Sequence, residues 1–86
     1  MVTVNYKNQG TCSVLTTVTM ADDHTIQEVA VKGGCNGNLK GICALLKGQK
    51  AEDVIARMEG IKCGPRSTSC PDQISKALTQ ALKELG

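Results

Sequence analysis

Val29-Ala30-Val31-Lys32-Gly33-Gly34-Cys35-Asn36-Gly37-Asn38-Leu39 is where the pattern of this chain changes. Before it, apolar residues recur at every second position, the period of a strand with one buried face. After it they recur at about 3.6, the period of an amphipathic helix. The glycines between mark a turn. A chain that reads strands first and helices afterwards makes an α+β domain, with its helices on one face of the sheet.

Three strands precede the change. Met1 to Lys7 alternates, with Val2, Val4 and Tyr6 on one face and Thr3, Asn5 and Lys7 on the other. Asn8-Gln9-Gly10 is a turn. Thr11 to Met20 is the clearest strand: Cys12, Val14, Thr16, Val18 and Met20 share one face, and Ser13, Leu15, Thr17 and Thr19 the opposite one. After Ala21-Asp22-Asp23-His24, Thr25 to Val31 is a third strand, its pattern broken around Gln27 and Glu28 as by a bulge. The short connections predict an antiparallel three-stranded meander.

Three helices follow. Asn36 or Asn38 caps the first, whose apolar positions are Leu39, Ile42, Cys43 and Leu46; Gly48 ends it. Ala51, Val54, Ile55 and Met58 form a second, stopped by Gly60, with Ile61 placed for the apolar contact of a Schellman motif. The last is announced by Cys63-Gly64-Pro65-Arg66-Ser67-Thr68-Ser69-Cys70-Pro71-Asp72. Ser69 and Asp72 have the spacing of a capping box, and Pro71 falls in the first turn, where its missing N–H costs little. Ile74, Ala77, Leu78, Ala81, Leu82 and Leu85 continue in steps of three and four, and Cys70, four residues before Ile74, belongs to the same stripe.

The 86 residues make one domain, residues 1–86. A chain this short buries only roughly 60–65% of its unfolded surface. Tyr6 is the only aromatic residue. The core must therefore be aliphatic, which favours a brace in the form of a metal, a cofactor or a homodimer contact. The net charge of +2 and the lack of basic runs interleaved with aromatics argue against nucleic acid. No apolar run approaches a membrane span. The first residues lack a signal peptide's pattern, so a cytoplasmic location is expected.

In a reducing compartment, several cysteines signal metal binding, thiol chemistry or core filling more often than disulfides. There are five. Cys12 begins a strand, Cys35 and Cys70 sit at or just before helix N-termini, and Cys63 lies in the loop before Cys70. Helix N-termini favour thiolate. Cys12, Cys35, Cys63 and Cys70 supply the four ligands that zinc or an iron–sulfur cluster requires. Reactive thiols without metal, and simple packing, are the competing readings. Cys43, mid-helix on the apolar stripe, reads as core filler. The turn around Gly34, Asn36, Gly37 and Asn38 can act as an anion- or nucleotide-binding nest with Lys40 and Arg66 as neutralising charges, although glycines that merely turn the chain explain it more simply. His24 lies in a turn and reads as a surface residue. With one histidine and scattered acids, no catalytic triad or carboxylate pair can be assembled.

Thr68-Ser69-Cys70-Pro71-Asp72 spells TSCPD. Together with Gly33 to Gly41 and Gly60-Ile61-Lys62-Cys63-Gly64, it resembles the small stand-alone proteins of the TSCPD domain family over nearly the whole chain. The resemblance implies that Cys12, Cys35, Cys63 and Cys70 are motif positions. Related domains end the adenosylcobalamin-dependent (class II) ribonucleotide reductases, and small members carry the label ribonucleoside-diphosphate reductase. This chain alone has no room for a radical barrel and a cobalamin site. The resemblance therefore implies an accessory role beside a ribonucleotide reductase or another redox protein: metal holding, nucleotide binding, or thiol–disulfide exchange in deoxyribonucleotide synthesis. A more distant similarity is to iron–sulfur cluster assembly scaffolds, in which Cys12, Cys35 and Cys70 match the three scaffold cysteines. Val14 stands where the scaffold has Asp, and Ser69 where it has His; Cys63 would then replace a lost ligand.

Overall fold

The computed structural model describes every residue except Cys12, Gly34, Cys35, Cys63, Arg66, Ser67 and Gly86. Three strands, β1 (Val2–Lys7), β2 (Ser13–Met20) and β3 (Ile26–Gly33), precede three helices, α1 (Asn36–Leu46), α2 (Ala51–Met58) and α3 (Cys70–Leu85). The strands form an antiparallel meander in the order β1-β2-β3. This is the expected α+β architecture.

One face of the sheet carries the core. Val4, Val18, Met20, Ile26 and Val29 meet Leu46, Ala51, Val54, Ile74, Ala77, Leu78 and Ala81. The helix α3 lies over β1 and β2, with α2 beside it, while α1 packs on β3. The opposite face stays open and polar. There the Thr3 and Thr19 hydroxyls meet at 3.2 Å, and the Thr17 hydroxyl donates to Asn5 Oδ1 at 2.8 Å. Burying one face only is what an alternating antiparallel strand pattern allows.

The register holds two irregularities, and both alter which residues face inward. Thr19 pairs with Glu28 and Met20 with Ile26, leaving Gln27 as an extra residue on β3. This is the bulge that the broken pattern around Gln27 and Glu28 predicts. The second is at the start of β2. Ser13 pairs with Gly33 and Leu15 with Lys32, so Val14 is the extra residue. Strict alternation places Val14 inside and Ser13 outside. The structure reverses them: Ser13 is 3% exposed and Val14 54%. The extra residue shifts the side-chain parity by one, as any one-residue slip does.

The link between α1 and α2 runs along the start of β3. Ile26 N–H donates to the Gln49 carbonyl, Gly48 N–H to that of Ile26, and Ala51 N–H to that of His24. His24 adopts φ 73°, and its Nδ1 meets the Glu52 carboxylate. It is a partly exposed turn residue, as expected. Ile61 differs from expectation. It is 43% exposed, although its N–H reaches the Met58 carbonyl at 3.3 Å. That bond closes a β-turn over Met58–Ile61 and not a Schellman pair, since the Gly60 N–H is given to Asp72 instead of to a carbonyl of the last helical turn.

Candidate functional site

The N-terminus of α3 is fixed before its first turn begins. Ser69 Oγ accepts the Asp72 N–H at 3.1 Å, the forward half of a capping box. The reciprocal half is replaced. The Asp72 carboxylate accepts the Thr68 hydroxyl and, at 2.8 Å, the Gly60 N–H. Ser69 Oγ also donates to the Ile61 carbonyl at 2.7 Å. Two bonds thus close the neck of the loop between α2 and α3. The Thr68 hydroxyl and the Gly60 N–H hold the Asp72 carboxyl below its ordinary value, outweighing the effect of burial.

A second set of bonds ties this helix end to the β1–β2 turn. Gln73 Oε1 accepts the Gln9 N–H at 3.0 Å, and Gln73 Nε2 donates to Thr68 Oγ1 at 2.9 Å. Gly10 adopts φ 74°, and a side chain there would begin 2.9 Å from Thr68 Cγ2. Glycine is required on both counts. A cleft of about 370 Å3 opens beside this contact, between Tyr6, Gln9, Gln73 and Lys76.

Inside the turn, the bulge delivers Ser13 to α3. Thr16 Oγ1 donates to Asn8 Oδ1 at 2.8 Å, and Asn8 Nδ2 donates to Ser13 Oγ at 2.8 Å. Thr11 Oγ1 lies 2.9 Å from Ser13 Oγ and 3.2 Å from the Ser13 carbonyl. Ser13 Oγ in turn lies 3.1 Å from Cys70 Sγ. Asn8, Ser13, Thr16, Thr68, Ser69, Asp72 and Gln73 are all buried. Every buried side-chain nitrogen and oxygen among the described residues has a partner. A satisfied polar cluster of this kind holds one arrangement.

Cys70 is a free, half-buried thiol on the first residue of α3. Of the four expected ligands, it alone lies within the described residues; Cys12, Cys35 and Cys63 lie outside them. Their chain neighbours are informative. Ser13, which follows Cys12, pairs with Gly33, which precedes Cys35 by two residues, and Cys70 touches Ser13. Among the described residues, no three His, Cys, Asp or Glu side chains form a metal-holding group. Cys43 is the other free thiol described. It is half-buried on α1 beside Leu39 and Lys40, and burial pushes its thiol pKa up. That environment suits filler, not a nucleophile.

Of the expected anion nest, Gly34 and Arg66 lie outside the described residues. Asn36 is the first residue of α1, and Gly37, Asn38 and Lys40 are exposed on its opening turns. Sequence reasoning missed Asn8, Thr11 and Ser13. The available signal was Thr16 on an otherwise apolar face: a polar residue there needs a buried partner.

The TSCPD domain family model matches residues 2–82. No curated protein and no solved structure matches the chain.

Proposed function

Taking as premise that this chain belongs to the TSCPD domain family, we propose that it is a small accessory module that holds zinc or an iron–sulfur cluster through Cys12, Cys35, Cys63 and Cys70. The observation that carries this reading is the contact of Cys70 with Ser13, at the paired ends of β2 and β3. Cys12 is one peptide unit from Ser13 and Cys35 two from Gly33, each unit spanning about 3.8 Å. That Cys12 and Cys35 flank the paired residues Ser13 and Gly33 in the sequence supports the reading. The donor set also fits: thiolates at a helix N-terminus suit zinc and iron–sulfur clusters.

A bound zinc would brace a small aliphatic core; a cluster would add electron transfer. The residues of the chain supply the rest. Ser69 and Asp72 fix the first turn of α3 and so the direction in which Cys70 leaves it. The bonds from Gly60 to Asp72 and from Ser69 to Ile61 join the end of α2 to the start of α3. The partner we propose is a redox enzyme of the ribonucleotide reductase kind, on the strength of the family resemblance.

The test is elemental analysis of protein purified anaerobically without chelator, with a thiol count on the same sample. About one zinc, or iron with acid-labile sulfide, with thiols shielded until the metal is removed, is the expected result. In Cys70→Ser, the metal content should fall and the thermal midpoint drop. Metal-free protein with all five thiols accessible on denaturation would overturn the reading. A second reading, thiol–disulfide exchange, is favoured by the free state of Cys70 and its partial exposure. It requires a reversible disulfide in the metal-free chain.

A further inference from the structure

An open sheet has two outer edges, and this molecule treats them differently. The outer edge of β3 is occupied where the strand begins: Ile26 N–H donates to the Gln49 carbonyl, Gly48 N–H to that of Ile26, and Thr25 bridges to Lys50. Further along, β3 carries the bulge at Gln27 and the charges of Glu28 and Lys32. Bulges and charges of this kind discourage further strand pairing. The other edge strand, β1, keeps an unbroken register with β2 and contains no proline. Its one charge, Lys7, is its last residue. Among the described residues, no other backbone segment bonds to its outer side.

The ladder sets the direction of the unpaired groups. Asn8 N–H donates to the Val14 carbonyl, so the backbone of Asn8 is turned toward β2. Alternation along an antiparallel pair turns Tyr6, Val4 and Val2 the same way and Lys7, Asn5 and Thr3 the opposite way. The N–H and C=O groups of Thr3, Asn5 and Lys7 therefore point outward. On the core face, Val2 and Tyr6 are only half-buried on either side of buried Val4. The apolar stripe thus reaches the edge and stops in water.

We infer that β1 is the interface of a homodimer, in which a second copy of this chain adds its own β1 antiparallel about a two-fold axis at Val4. A two-fold contact must be self-complementary, and centring it on Val4 makes it so. Side chains keep their faces, and every residue from Met1 to Lys7 gains a partner. Val4 meets Val4 and Val2 meets Tyr6 on the core face. On the open face Thr3 meets Asn5, and the outward N–H and C=O groups of these two bond reciprocally. Lys7 falls beside Met1 of the second copy, whose nitrogen meets the exposed Asp22 carboxylate; the ammonium thus arrives next to an opposite charge. The two sheets become one, and Val2 and Tyr6 lose their remaining exposure. Addition of a strand to an open edge is a general mode of recognition. No cysteine takes part, so the dimer and the metal site stand or fall separately.

The experiment is sedimentation equilibrium of the full-length protein over a dilution series, with amide exchange measured at both ends of the series. Wild type should pass from monomer to dimer as concentration rises. The Thr3 and Asn5 amides should become protected with it, while that of Val4, bonded within the monomer, is protected throughout. Paired charges then read the register. In Thr3→Lys/Asn5→Lys, each new lysine lies directly opposite a lysine of the second copy, and dimerisation should weaken about 10-fold. In Thr3→Lys/Asn5→Glu, opposite charges meet; dimerisation should return to at least wild-type strength and fall with added salt. Both variants lose the same exposed hydrogen bonds to Thr19 and Thr17, so a cost to folding would appear in both. A wild type that stays monomeric throughout, or a dimer that responds to neither charge pattern, would overturn the inference.

Discussion

Asp72 shows how one carboxylate can hold a helix and a loop together. It accepts from Thr68 and Gly60 while its own N–H is held by Ser69. Asp72→Asn should lower the urea midpoint by the equivalent of about 1–3 kcal/mol, with the slope unchanged. Its pH behaviour follows from the direction of its shift. A carboxyl held below its unfolded value stabilises the fold fully above that value and loses the contribution as pH falls through the folded one. The stability Asp72 supplies is therefore complete at neutral pH and is lost below its ordinary 3.8. Midpoints measured from neutral pH downward should decline more gently in Asp72→Asn than in wild type. Gly10 gives a second test. Gly10→Ala should destabilise by about 1–2 kcal/mol for its left-handed backbone, and more for the approach to Thr68 Cγ2. Adding Thr68→Ser, which removes that methyl, should recover only the second part. The sequence made Cys70, Ser69 and Asp72 legible as a cluster because their spacing is local. Ser13 was not legible, because its facing depends on one extra residue in a pairing that only the folded sheet defines.

At the scale of elements, α3 dominates. Ile74, Ala77, Leu78 and Ala81 are wholly buried against β1, β2 and α2. Leu78→Ala should cost about 2–5 kcal/mol. In a small domain that is a large part of the total, so thermal unfolding should begin near room temperature. The helix α1 packs chiefly on β3. Its amides should exchange with solvent sooner than those of α3, as elements with fewer buried contacts open first. All six elements were legible from the change of apolar period and from Gly48, Gly60 and Ser69 at their ends. The bulge at Gln27 was legible too, because it interrupts a visible pattern. The one at Val14 was not, since Val14 and Thr16 look like regular inward positions until Ser13 is seen in the core.

The whole molecule joins the last element to the first. The sheet and the two shorter helices end before Lys62, and α3 returns to cover β1 and β2. No helix among the described residues is long and apolar enough to cross a membrane. Lys62, Gly64 and Pro65 are exposed on the loop between α2 and α3. Its neck is closed from both sides, by Gly60 to Asp72 and by Ser69 to Ile61. A polypeptide cut once after Lys62 would thus consist of two fragments whose contact surfaces are both intact. Neither fragment buries its apolar face alone. Mixed in solution, a synthetic peptide beginning at residue 63 and the remaining N-terminal piece should reassemble noncovalently into the native form, with an affinity that a Leu78→Ala peptide loses.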